Sequence, residues 1–241
     1  MKYKLVISFD GTSYHGWQKQ KNALSIQDIL DKSLSMIFKQ KIETIGCGRT
    51  DTGVHARKFT LHFETSKKLP FTFLYNLNSV LPPDIAVHTC SRVNKNFNAR
   101  FSATRREYRY FIHFEKNPFL INKSNLQYKI PDIEKMNQAC KVLEKYNDFE
   151  SFSKKGSDNK TTICKIYEAK WIKRKNQYIF IISADRFLRN MVRAIVGTML
   201  DIGNGKTNIE QFEKIIQSKN RKNSSTSAPA AGLYLWDIKY R

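Results

Sequence analysis

The chain has 241 residues, 41% of them hydrophobic, which allows a substantial buried core in one long domain or two small ones and argues against a disordered chain. Its 42 Lys and Arg against 21 Asp and Glu leave a net charge of +21, spread along the chain rather than gathered in a tail. Such an excess points to a polyanionic partner, nucleic acid first and an acidic membrane surface second, with a lysine-rich compositional bias as the bland alternative.

No stretch approaches the roughly 20 apolar residues of a membrane span, and the N-terminus reads as a strand rather than an apolar signal. Cys47, Cys90, Cys140 and Cys164 lie far apart, so neither a paired-cysteine zinc site nor a disulfide framework is expected, and reduced thiols in the cytoplasm are the simplest account.

Tyr3, Leu5, Ile7 and Phe9 alternate, which predicts a strand over 2–10. Ser25, three residues before Asp28, opens a helix carrying Ile26, Ile29, Leu30, Leu34, Ile37 and Phe38 at helical spacing. Residues 42–46 form a short strand candidate, and Phe59, Leu61 and Phe63 alternate in another. Pro70 opens a helix to about Val80, ended by Pro82-Pro83, and 85–90 is a strand.

The β-α-β-β-α-β order then recurs. A strand over 107–114 carries Tyr108, Tyr110, Ile112 and Phe114, and a helix over 132–146 puts Ile133, Met136, Cys140 and Leu143 on one face. Strands near 162–173 and 177–184, an apolar helix over 186–201, a further helix over 208–218 and a strand over 233–239 complete it. The fold class expected is α+β: two tandem ferredoxin-like β-α-β-β-α-β halves, 1–104 and 105–241, whose antiparallel sheets flank a central basic cleft.

Residues 91–106 join the halves and carry Arg92, Lys95, Arg100, Arg105 and Arg106 with Phe97 and Phe101 interleaved. Cations can neutralise phosphates and aromatics can stack on bases, so this is a composition suited to RNA; a solvated linker is the alternative. Residues 219–232, rich in Ser and Thr, read as a mobile surface loop. Trp17 and Phe97 read as core. If 186–201 is one helix, Arg186, Arg189 and Arg193 fall at i, i+3 and i+7 and share a face.

The most informative segment is Gly46-Cys47-Gly48-Arg49-Thr50-Asp51-Thr52-Gly53-Val54-His55-Ala56, a loop between two predicted strands. Its glycines permit tight turns and close approach of a substrate, although a Gly-Asp hairpin is also a common structural turn. His55 has no second ligand at useful spacing, so no metal is expected.

Gly48–Ala56 closely resembles the active-site signature of the TruA family of tRNA pseudouridine synthases. Four further segments are similar to that family in the same order: Asp10–Gln18, Phe97–Thr104 running on to Tyr108-Arg109-Tyr110, Phe187–Arg193 with Val196-Gly197, and Ala231–Leu235. The resemblance implies an isomerase that breaks the N-glycosidic bond of uridine, turns the base and rejoins it to the ribose through carbon, with no redox change and no cofactor. It assigns Asp51 as nucleophile and pairs it across the cleft with Arg193, the fixed cation that an ionised carboxylate in a partly dry pocket requires. It makes Tyr108 the active-site tyrosine, able to stack on uracil and assist proton transfer. Arg49 is placed to contact phosphate or fill the gap left by a flipped base. Arg105, Arg186 and Arg189 are the other expected substrate contacts.

The family implies tRNA as partner, anticodon stem-loop uridines at positions 38–40 as targets, and a homodimer. Two departures stand out: Thr52 where the family usually has Ala, and Lys58-Phe59 where Gly-Gln is common, which leaves the backbone path out of the loop open. A non-catalytic RNA-binding protein of this fold would keep the charge without needing Asp51, and a phosphodiester hydrolase would need clustered carboxylates or a metal.

Overall fold

The computed structural model describes residues 1–154, 156 and 160–241. The chain is a mixed α+β protein with mostly antiparallel strands, and it divides into two compact units, Met1–Thr104 with Tyr234–Arg241, and Arg105–Leu233.

In the first unit, β1 (Lys2–Phe9) alternates half-exposed and buried residues along its whole length, as its sequence period demands. It pairs antiparallel with β3 (His55–Glu64) on one edge and β4 (Ile85–Arg92) on the other. The far edge of β3 is shared. Along His55–Ala56 it takes β9 (Leu233–Tyr240) in parallel, and along Leu61–His62 it takes β2 (Ile45–Gly46) antiparallel. Helix α1 (Ile26–Phe38) starts at Ser25, whose side chain accepts from the Asp28 amide at 3.2 Å, and ends at Lys39 in the left-handed region. Such an N-cap stabilises a helix by about 1 kcal/mol. Helix α2 (Phe73–Val80) starts three residues later than expected from Pro70 and stops at Leu81, which is extended ahead of Pro82. Leu5, Ile7, Leu30, Leu34, Phe59, Leu61 and Leu77 form the sealed core.

The strand expected over 42–46 shrinks to two residues for a visible reason. The Ile42 amide donates to Ser35 Oγ at 2.9 Å and the Thr44 amide to Asp31 Oδ1 at 2.9 Å, so α1 side chains take the donors a ladder would use. Burial raises the Asp31 carboxyl above its ordinary pKa.

In the second unit β5 (Ala103–His113) pairs antiparallel with β8 (Gln177–Ala184), and β8 with β7 (Ile166–Arg174), while β6 (Asn125–Leu126) lies parallel to β5. Residues 161–164 do not extend β7, because the Phe149 amide donates to Thr162 O and the Cys164 amide to Asn147 O, pairing that stretch with 147–149. Helix α3 (Ile133–Leu143) is capped by Asp132, α5 (Ile209–Gln217) by an Asn208–Gln211 capping box, and α4 (Met191–Gly203) is the buried helix.

Helix α4 corrects two sequence expectations. Asn190 takes φ 66°, outside the helical region, so the helix begins at Met191; Arg186 and Arg189 lie in the preceding loop and share no helical face with Arg193. Residues 219–232 are not a loose loop. Arg221 Nη2 and Asn190 Nδ2 both donate to Ser227 Oγ (2.8 and 2.6 Å), the Ser225 amide to Thr198 Oγ1, the Ala228 amide to Arg193 O, and Tyr110 Oη to Pro229 O. The Ser227 hydroxyl, which reads as loop composition, and the Thr198 hydroxyl on α4 serve here as acceptors that tie a strap to the helix and its N-cap. Among the described residues no helix is long and apolar enough to cross a membrane.

Candidate active site

In the first unit, β2 leads into the Asp51 loop and β3 leads out of it. The loop is held by the segment after β1, backbone against backbone. Trp17 N donates to Thr50 O at 3.3 Å, Gly53 N to Tyr14 O at 3.2 Å, and Val54 N to Asp51 O at 3.1 Å. The approach is close enough to exclude side chains at two positions. A Cβ on Gly11 would stand 2.0 Å from Val54 O, and one on Gly16, whose φ is +85°, 2.2 Å from Thr50 O. The segment 10–18 and the loop 48–56 are therefore one structure, a relation that the separate motifs do not show. Tyr14 and Trp17 are buried under it, Trp17 stacked on Phe59 at 4.2 Å as the core residue expected.

His55 completes the clamp from inside. Its buried ring stacks on Tyr234 at 4.5 Å, and its Nδ1 lies 3.1 Å from the Gly11 amide and 2.9 Å from Asp10 Oδ1. Burial pushes the Tyr234 phenol up to about 12. Asp51 is left half-exposed at the loop's apex, and Thr52 beside it is exposed, so its hydroxyl carries no burial cost. Arg49 is exposed and oriented by a relay of amides: its Nε donates to Gln18 Oε1, Gln18 Nε2 to Gln27 Oε1, and Gln27 Nε2 to Thr44 O. Among the described residues no three His, Cys, Asp or Glu side chains are grouped to hold a metal.

In the second unit, Tyr108 sits half-exposed on β5 opposite Ile182, its ring edge-on to Phe187 at 5.1 Å. Tyr110, two residues on, is fully buried and belongs to the core. Arg193 is one of only two residues of α4 that are not buried, the other being Asp201 near its end. Its Nε donates to Ala228 O at 2.7 Å, which sets the plane of the guanidinium. The loop before α4 keeps Arg186 half-exposed and Arg189 exposed; Asp185 Oδ1 accepts from the Arg186 amide at 2.7 Å and the buried Leu188 anchors it. Arg105 reaches Glu168 at 3.1 Å, a carboxyl held below the ordinary range first by Lys170 and then by Arg105 itself. Asp51 and Arg49 thus belong to one unit, and Tyr108, Arg105, Arg186, Arg189 and Arg193 to the other.

A family model described as tRNA pseudouridine synthase matches residues 5–102 and 139–241. The chain belongs to this family. The matched segments include Arg49, Asp51, Arg186, Arg189 and Arg193, whereas Arg105 and Tyr108 fall in the interval between them. Among curated relatives, the tRNA pseudouridine synthase A of Bacteroides thetaiotaomicron is 44% identical over 99% of this chain and 90% of its own length. That of Bacteroides fragilis is 45% identical over 99% and 96%, and that of Bacillus licheniformis 40% over 100% and 99%. A solved structure of the CRISPR endoribonuclease Cse3 bound to 19 nt RNA, 12% identical, covers 84% of this chain and 97% of its own with a TM-score of 0.22, too low to carry any argument.

The departure at Lys58-Phe59 acquires a structural account. Ile7 pairs with Phe59 but Phe9 with Ala56, so Arg57 and Lys58 bulge out of β3 opposite Ser8. That bulge makes two consecutive residues exposed and returns Phe59 to the core, and neither Lys58 nor Phe59 has a positive φ. Lys58 meets Asp237 of β9 at 2.7 Å. The backbone leaves the loop without needing glycine.

Proposed function

We propose that this chain isomerises uridine to pseudouridine in the anticodon stem-loop of tRNA, at positions 38–40, with Asp51 as nucleophile and Tyr108 and Arg193 as the other catalytic residues. The observation that carries the proposal is the family match over both 5–102 and 139–241, which spans the clamped Asp51 loop and the helix of Arg193. A half-exposed carboxylate on a loop locked at its backbone is suited to attack without reorganisation. Tyr108 offers a ring face for the base and a phenol for proton transfer during formation of the new carbon–carbon bond. Arg49, Arg105, Arg186 and Arg189 are the proposed substrate contacts.

The reading extends to architecture and setting. The antiparallel order β4-β1-β3-β2 with α1 and α2, and β5-β8-β7 with α3 and α4, support two ferredoxin-like halves, 1–104 and 105–241. A cytoplasmic homodimer acting on tRNA is the proposed working form.

The direct test is mapping of pseudouridine in a tRNA transcript carrying uridines at 38–40 after incubation with purified protein in EDTA. Pseudouridine at those positions is the expected result. Binding without modification of these or any other tRNA uridine would favour a non-catalytic RNA-binding protein instead. Arg193→Gln should lower kcat about 10²- to 10³-fold, as removal of a preorganised charge does, read in single-turnover assays. With a net charge of +21, tRNA affinity should fall steeply with salt, by about 10³-fold between 50 and 200 mM if some six phosphates are contacted. A flat salt profile in filter binding would reject the electrostatic part of this reading.

A further inference from the structure

Residues 93–102 follow β4, and every backbone turn in this segment is tied down. Asn98 Oδ1 accepts from the amides of Arg100 and Phe101 at 3.0 and 3.2 Å, Asn98 N donates to Ser102 Oγ, and Ser102 N donates to Asn98 O. Ala99, fully buried, is held from both sides: its amide donates to His62 Nδ1 at 3.1 Å and its carbonyl accepts from Tyr240 Oη at 2.8 Å. Burial holds His62 below its ordinary pKa, which keeps Nδ1 available as an acceptor. Lys2 Nζ adds bonds to the carbonyls of Lys95 and Phe97.

Two side chains leave this rigid turn outward. Phe101 is 77% exposed, and the guanidinium of Arg100, also exposed, lies 5.4 Å from its ring centroid. Core burial does not account for an aromatic ring left in water, and the turn is closed by bonds of Asn98 and Ser102. Arg92 and Lys95, close by in sequence, are exposed as well.

We infer that Arg100 and Phe101 form a preformed contact for an unpaired nucleotide of the tRNA, the Phe101 ring stacking on the base and Arg100 taking an adjacent phosphate. The inference rests on the reading of tRNA as the partner. Basic surroundings favour a polyanion over an apolar protein surface, and an exposed ring carried on a hydrogen-bonded turn can stack without reordering the backbone.

The test uses the full chain as wild type, Phe101→Ala, Phe101→Tyr and Arg100→Gln. Kd for a tRNA transcript is measured by filter binding over a salt series, alongside kcat, thermal midpoint and sedimentation. Phe101→Ala should raise Kd about tenfold and Phe101→Tyr keep it within about twofold, as stacking predicts. Arg100→Gln should reduce the slope of log K against log salt by about one. The thermal midpoint should stay at the wild-type value. An unchanged Kd for Phe101→Ala would overturn the inference, and so would a Kd that changes only in step with a loss of oligomer in sedimentation. If no variant, wild type included, forms pseudouridine, the isomerase reading fails while the Kd comparison still decides this one.

Discussion

Asp51→Asn is expected to abolish pseudouridine formation, a fall of at least about 10⁴-fold, with tRNA affinity kept within about twofold of wild type. Asparagine preserves the size of the side chain but supplies no carboxylate to add to a substrate carbon, so the step that holds one fragment while the base turns has no nucleophile. The variant should fold normally, because Thr50 O, Asp51 O and Gly53 N hold the loop here through main-chain hydrogen bonds that the substitution leaves in place. Pseudouridine mapping and filter binding on the same preparation check both halves of the expectation. Turnover by the Asn protein, with deamidation excluded by mass spectrometry, would remove Asp51 from the nucleophile's role.

Gly16→Ala should be the most damaging change away from the reacting atoms. At φ +85° an L-residue is strained, which costs about 1–3 kcal/mol. The new Cβ would also stand 2.2 Å from the Thr50 carbonyl oxygen, a distance real Cβ atoms do not show. Thr50 must then retreat by about 1 Å, one residue before Asp51, and a displacement of that size is expected to lower kcat about 10²-fold. The thermal midpoint should fall with it. Gly48→Ala provides the contrast: a Cβ there meets nothing within 4 Å, so the midpoint should stay where it is. Wild-type kcat in Gly16→Ala would show that the loop does not depend on its contact with the segment after β1.

Much of the fold was readable along the chain. Alternation in Lys2–Phe9 and Gln177–Ala184 located β1 and β8, and the capping residue Ser25 marked the start of α1. The family was readable too, because five motifs stand in order and the match extends over 5–102 and 139–241. Arg193 was singled out by the family resemblance and then supported by a helical face shared with Arg186 and Arg189; that face does not exist, and what sets it apart in the structure is that it is half-exposed on a helix otherwise almost wholly buried. Arg105 was read as a substrate contact in a basic linker, and its ion pair with Glu168 had no signal in the sequence.

The sequence by itself determined what depends on neighbours a few residues apart: strand period, helix period, caps, and the motifs that carry the family. Tertiary structure decided where a polar group's partner lies tens of residues away. Asp31 takes the Thr44 amide and cuts β2 short, Ser227 accepts from Asn190 and Arg221 and turns an expected mobile loop into a strap, and Gly11 and Gly16 exist for carbonyls at 54 and 50. Such choices leave no local pattern, because a backbone donor is satisfied equally well by a ladder, a side chain or a distant loop, and only the packed chain brings one of them within reach.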